Sequence, residues 1–547
     1  MKPIRMVIVF LVTLFAGGLT VFAFHVPADP QFAILCTTDF HGYLEPDDKG
    51  HGGAAYLAGA IRDVRQQVGE QNVLLLDSGD IFLAGPPISQ LLQGESAVDI
   101  FNLLGYDGAT IGNHEFDAGQ RVLLSRTLQA NWPWIAANLV ITGTDWERPA
   151  WVRPYITKTL GGQAGAVVVG VIGLANPETP ALTVRSATEG LAFLDPVQAV
   201  SLYYDEIRAQ VDFLIVLAHI GLQDSGPYPG LRTIARQLAD MGRPADLMLA
   251  GHTHEPLFAP VWVGPTPIVQ AGFHGRWLGR ADFEIDSSVQ RIRLKGYRLV
   301  FINNSITADD GVAGRVAYWA EMVQPIIARP VGVTAVSLTR KRDGESNLGN
   351  LVADAMRWKA DEWDDGQVNG SVEAALTNPG GLRYDIVIPS GASRPYTITW
   401  GQTYQVLPFG NTLYVMDLTG AQLQILLNRS ASLSKGMLQT AGLTWQWHNN
   451  CVCETPSRWG ALDIRMNGEP LQADHVYHIV TNSFLATGGD NWPAFGQAGR
   501  PVDTYIDQQE AVNDYLQWFN ATIGPITHTV EGRIRLVRAY PIPLFFR

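Results

Sequence analysis

Between Gln31 and Gly275 the chain repeats one unit: a short unbroken apolar run, a polar cluster, then a helical stretch. Residues 32–35 run into Thr38-Asp39-Phe40-His41-Gly42, and residues 73–76 into Asp77-Ser78-Gly79-Asp80. A helical stretch is predicted over 86–104. The run 108–111 follows and ends at Gly112-Asn113-His114-Glu115-Phe116-Asp117. Residues 166–172 lead into Gly173-Leu174-Ala175-Asn176, and 213–217 into Ala218-His219-Ile220-Gly221. Residues 247–249 precede Gly251-His252-Thr253-His254, and Val269 precedes Ala271-Gly272-Phe273-His274-Gly275. Runs that are apolar throughout, rather than alternating, predict strands covered on both faces, as in layered α/β folds. In such folds ligands gather at the carboxyl ends of the strands.

Past residue 312 the pattern changes. A helical segment over 313–327 leads to Pro330 and a strand over 331–336, and the domain boundary is placed there. The second half has its own predicted strands (373–376, 397–399, 412–418, 475–481) and helices (347–359, 420–427). At 547 residues, two domains with separate cores are expected.

Before the first strand, Lys2 and Arg5 precede an uncharged run from residue 6 to 24, which makes about 28 Å of helix. An export signal is the first reading and an uncleaved N-terminal anchor the second, which makes the expected location periplasmic or extracellular. The formal charge of −13 argues against a nucleic-acid or anionic-membrane surface. A phosphorylated substrate would then need positive charge built into its site, and bound divalent cations supply it. Three cysteines are too few for a disulfide scaffold. Cys36 reads as a small core residue, while Cys451 and Cys453 are close enough in sequence for a small-ring bridge.

The polar clusters carry the chemistry. Asp39 with His41, Asp80, Asn113, His219, and His252 with His254 offer carboxylates, an amide and imidazoles at successive strand ends. Mixed oxygen and imidazole donors suit zinc, manganese or iron. His114 and Asp117 stand three residues apart, so the carboxylate can hold the ring and keep it protonated beside a reacting oxyanion. Asp77, a rival to Asp80, reads as a turn carboxylate or one that supports a ligand from behind, and Glu115 as a solvated neighbour of His114. A lone histidine at a strand end is ordinarily structural. What outweighs this is concurrence, since five of the twelve histidines fall in these clusters.

The ordered set DFHG, GD, GNHEFD, AHIG and GHTH resembles the calcineurin-like metallophosphoesterases. With the second half included, the chain resembles the 5'-nucleotidase family over nearly all of its length after the export segment. The resemblance implies an α/β fold, a four-layer αββα metallophosphoesterase sandwich followed by a smaller α/β substrate-binding domain. It implies a first metal held by Asp39, His41, Asp80 and His254, and a second held by Asp80, Asn113, His219 and His252, with Asp80 bridging. It makes His114 and Asp117 the catalytic dyad. The expected organisation is 1–27 signal or anchor, 28–312 catalytic domain, 313–330 linker helix and 331–547 substrate-binding domain.

In the second half, Asn378-Pro379-Gly380-Gly381-Leu382-Arg383 allows close backbone approach, and Arg383 can fork onto a phosphate. Phe409 and Phe484, on glycine-flanked loops, can sandwich a flat base, and Asp490 can accept from ribose hydroxyls. Asn378, Arg383, Phe409, Phe484 and Asp490 match the family's substrate motifs. Some relatives carry an arginine where this chain has Asn347, so Arg340 or Arg342 is the candidate second cation. The expected activity is removal of the 5'-phosphate from nucleotides with two divalent metal ions, by an enzyme that binds no nucleic acid. Hydrolysis of nucleotide sugars or 2',3'-cyclic nucleotides, a thiosulfate-pathway sulfohydrolase on the same fold, and a degenerate surface binding protein stay open.

Overall fold

The computed structural model describes residues 32–161, 166–183, 185–286, 291–363, 371–448, 460–492 and 494–537. The N-terminal signal or anchor, Cys451 and Cys453 lie outside them. Among the described residues, no helix is long and apolar enough to cross a membrane.

Two six-stranded sheets form the first half. One runs Arg291–Phe301, Trp277–Asp286, Phe32–Thr37, Val73–Asp77, Gly108–Thr110, Trp134–Ile135. Its last four strands are parallel, and the long hairpin of the first two lies antiparallel beside them. The other runs Val261–Val263, Thr266–Val269, Leu247–Leu249, Phe213–Ala218, Val167–Leu174, Tyr155–Leu160, with parallel strands between two antiparallel edges. The period of two along a strand sets the layers. Phe32, Ile34 and Cys36 pack with Val169, Val171, Phe213 and Ile215 between the sheets. Ala33 and Leu35 point the other way, against Leu57, Ile61 and Phe101 of the helices Ala54–Val68 and Glu95–Leu104. The helices Pro196–Arg208 and Leu231–Asp240 cover the second sheet through Val200, Ile207, Ile234 and Leu238. The result is the expected four-layer αββα sandwich. Cys36 is a buried core residue, as expected.

The helix expected over 86–104 is two helices, Pro87–Gln90 and Glu95–Leu104. Gly94 breaks it with φ 81°, and a Cβ there would lie 2.3 Å from the Phe82 ring.

The helix Asp310–Ile327 starts on the Asp309 cap and buries Val312, Val316, Trp319 and Val323 in the first half's core. We therefore propose that the boundary falls after Ile327. Beyond it, a five-stranded sheet runs Gln439–Ala441, Ala374–Thr377, Val476–Asn482, Thr412–Thr419, Gly499–Asp507. The helices Asn347–Asp361 and Gln508–Thr522 cover one face through Leu351, Met356, Ala511 and Leu516. The helix Gly420–Ala431 and a second, four-stranded sheet cover the other.

Candidate metal centre and substrate cleft

Every metal-ligand candidate lies just past the carboxyl end of a parallel strand. Asp39 and His41 follow Phe32–Thr37, Asp80 follows Val73–Asp77, and Asn113 follows Gly108–Thr110. His219 follows Phe213–Ala218, and His252 and His254 follow Leu247–Leu249. The sandwich brings these ends together. The ligating atoms of Asp39, His41 and His254 lie within 4.8 Å of one another, as do those of Asp80, His219 and His252. Asp80 reaches both groups, its Oδ2 standing 3.1 Å from His219 Nε2 and 3.8 Å from His41 Nε2.

Strain concentrates here. Asp39, His41, Asp80, His252 and His254 have φ of 52°, 52°, 57°, 73° and 56°. Side chains with a Cβ rarely adopt that left-handed region, at about 1–3 kcal/mol each. The surrounding loops hold them in it. Glu115, expected to be solvated, is fully buried instead. Its carboxylate accepts from the backbone N–H of Asp80 at 2.9 Å, Ile81 at 2.7 Å and Gly112 at 2.7 Å. The loops after two adjacent strands close over it, so solvent has no access. Asp77 does act as a turn carboxylate, accepting from Gly79 N–H at 2.7 Å and the Thr37 hydroxyl at 2.6 Å. Gly112 is required, since a Cβ on it would lie 2.0 Å from Asp80 Oδ1.

The protonation pattern leaves lone pairs facing inward. His41 Nδ1 is 2.7 Å from the Leu83 carbonyl and His219 Nδ1 is 2.7 Å from the Ser78 carbonyl. Each carbonyl fixes the proton on Nδ1 and leaves Nε2 free to ligate. Asn113 Oδ1 is buried and has no hydrogen-bond partner among the described residues, and His219 Nε2 meets only the Asp80 carboxylate, which overcomes burial and raises the ring to about 10 before any cation displaces the proton. An orphaned acceptor such as the Asn113 oxygen is costly at this depth unless a cation meets it. Burial, aided by the positive charge of neighbouring imidazoles, pushes His252 down to about 3. Burial likewise brings His254 down to about 4. Both rings are therefore neutral. Burial also raises the carboxyl of Asp39, to about 7. Asp80 goes the other way: burial opposes its charge, but His219 and His114 outweigh that and hold it ionised. Neutral imidazoles, carboxylates and an amide oxygen fit divalent zinc, manganese or iron.

Beside this centre, His114 Nδ1 is 2.6 Å from Asp117 Oδ2. Burial opposes charge on the ring, but Asp117 and Asp80 overcome it and push His114 up to about 9. The ring therefore stays protonated near neutral pH.

The second half closes the other wall. A cavity of about 550 Å³ is lined by Asp80, Asn113, His114, Asp117, His252 and His254 on one side. Asn378, Arg383, Phe409, Phe484 and Asp490 line the other. The Phe409 ring lies nearly parallel to that of His114, with centroids 5.9 Å apart and planes 17° apart. The Arg383 guanidinium stands 5.6 Å from the Phe409 centroid and makes no hydrogen bond or ion pair among the described residues. Burial lowers its pKa. Phe484 lies over the Gly489 backbone, where an added Cβ would come within 2.6 Å of the ring. Asn378 accepts from Asn482 Nδ2 at 3.0 Å, and Asp490 is 3.3 Å from Lys435 Nζ. Of the two candidate extra cations, Arg342 lines this cavity, whereas Arg340 turns to the Leu382 carbonyl and Asp385. Asn347 points away, bonding Thr339 N–H and the Ser337 and His528 carbonyls. Sequence reasoning missed Thr183, which also lines the cleft and sits in no motif, and gave no role to Asn411, which lines it too and closes the stretch Leu407-Pro408-Phe409-Gly410-Asn411.

Residues 32–256 match the calcineurin-like phosphoesterase family model, and residues 329–497 match the 5'-nucleotidase C-terminal domain model. The chain is 28% identical to endonuclease YhcR of Bacillus subtilis (strain 168), over 95% of this chain and 42% of that protein. It therefore spans less than half of that relative's length. Similarity to the 5'-nucleotidase of Diplobatis ommata is more nearly end to end, 28% identity over 93% of this chain and 90% of that one. The crystal structure of the 5'-nucleotidase precursor from Thermus thermophilus superposes with a TM-score of 0.75 at 26% identity, over 92% of this chain and 99% of that one.

Proposed function

For a chain that belongs to the 5'-nucleotidase family of metal-dependent phosphoric ester hydrolases, we propose an exported enzyme that removes the 5'-phosphate from nucleotides to give nucleoside and phosphate. The observation that carries the reading is the single cleft shared by the two ligand groups and the base-, ribose- and phosphate-binding candidates. Asp39, His41 and His254 would hold one divalent cation, and Asn113, His219 and His252 the other, with Asp80 shared. When bound, the pair supplies positive charge to the phosphoryl oxygens and lowers the pKa of water.

The chain's own residues do the rest. Arg383 and Arg342 face the phosphate, and Arg383 has its donors free for it. Protonated His114, steered by Asp117, donates to oxygen as negative charge develops. Phe409 and Phe484 hold the base by stacking, Asn378 offers its amide, and Asp490 takes the ribose hydroxyls. The apolar N-terminal run supports export.

The test is phosphate release by manganese- or zinc-loaded protein from AMP, ATP, UDP-glucose and 2',3'-cyclic AMP, with a polynucleotide arm because one relative is an endonuclease. Release from AMP with no cut polynucleotide is expected. Polynucleotide cleavage with AMP left intact would contradict the reading.

A further inference from the structure

The cleft has a neighbour. A second cavity, about 640 Å³, meets the first at His254 and Arg383, which line both. The loop around Phe409 is the partition: Phe409 faces the first chamber and the preceding Pro408 the second. A phosphate held at His254 and Arg383 would therefore have its nucleoside on one side and open space on the other.

That space has its own surfaces. The rings of Tyr43 and His274 stack at 3.6 Å with planes 15° apart. The backbone N–H of His274 donates to the Asp39 carbonyl at 2.8 Å, which ties this loop to the ligand loop. Tyr384 also lines this chamber. Exposed Glu45 and Asp48 line the same chamber. Asp47 is neutralised by Arg276 at 3.0 Å. An aromatic platform with a carboxylate border, its Arg340 already engaged by Asp385, suits a flat, uncharged ring over further phosphates.

We propose that this second chamber binds an uncharged ring-bearing alcohol esterified to the far side of the nucleotide's phosphate, with Tyr43 and Tyr384 as specificity residues. The proposal rests on the reading of the first chamber as the nucleotide site. The substrate class is then the 5'-nucleotide diester. Water's oxygen bonds to phosphorus, the bond from phosphorus to the ring alcohol's oxygen breaks, and that oxygen leaves as the alcohol with a proton from the water. The nucleoside 5'-monophosphate remains.

The probe is the 4-nitrophenyl ester of thymidine 5'-monophosphate, compared with thymidine 5'-monophosphate itself. Wild type should release 4-nitrophenolate. Tyr43→Ala should raise KM for the diester at least tenfold and leave kcat/KM for the monoester within twofold, while Tyr43→Phe matches wild type on both. Tyr384→Ala, at a residue 44% exposed and so safe for folding, should raise KM for the diester alone, by a smaller factor. A monoesterase that ignores the diester, or alanine variants that change both substrates equally or neither, would overturn the second chamber's role. Failure on both substrates with metals present would overturn the nucleotide site instead.

Discussion

Glu115 holds the backbone of Asp80. Its buried carboxylate accepts the Asp80 N–H at 2.9 Å, so a residue with φ 57° keeps its side chain between the two ligand groups. The same carboxylate takes the N–H groups of Ile81 and Gly112. Glu115→Ala leaves three buried donors unmet, each worth about 1–3 kcal/mol. The expected outcome is a loss of about 3 kcal/mol or more in chemical denaturation, together with lost metal retention. A variant as stable as wild type with full metal content would contradict this.

His114→Ala removes the proton donor and no ligand. Turnover of AMP should fall about 10²–10⁴-fold, the usual range for general acid catalysis. Metal content should be unchanged. Wild-type turnover would show that the dyad has no part in the chemistry.

The His114–Asp117 pair predicts a pH dependence for the metal-free protein. Folding raises His114 from 6.5 to about 9, so the pair's contribution to stability is complete below pH 6.5 and disappears as pH rises through 9. Asp117→Asn should remove that loss. NMR titration of the ring, near 9 in wild type and well below in the variant, checks it. A ring titrating near 6.5 in both would show no coupling.

Stacking makes the base matter. Phe409→Ala and Phe484→Ala should each raise KM for AMP by the equivalent of about 1–3 kcal/mol, the usual worth of a stacked base. KM for 4-nitrophenyl phosphate, which carries no base, should change much less for Phe484→Ala. Equal losses on both substrates would mean that these rings only support the fold.

Much of this site could be read from the residues because its ligands cluster at strand ends, and strand ends are marked by a switch from apolar to polar residues. Asp39, Asp80, Asn113 and His219 were visible for that reason. Glu115 was not: its burial depends on two loops closing over it, and nothing local in GNHEFD distinguishes a buried carboxylate from a solvated one. Gly94 hid a break inside a helical pattern because the Phe82 ring, distant in sequence, leaves no room for a side chain there. The long hairpin Trp277–Asp286 and Arg291–Phe301 escaped notice since it alternates charged and apolar residues beside an otherwise unbroken apolar sheet. Arg340 and Arg342 could not be ranked from spacing alone, because only the fold turns Arg342 into the cleft and Arg340 to Asp385 in the neighbouring chamber.

The central claim is that these distant loop ends form one cage for a pair of cations. Elemental analysis of protein loaded with manganese or zinc and then freed of excess metal by gel filtration tests it most directly. About two equivalents per chain are expected in wild type, with both weakened by Asp80→Ala because that carboxylate is shared. No retained metal in wild type, or a variant that keeps both ions, would contradict it.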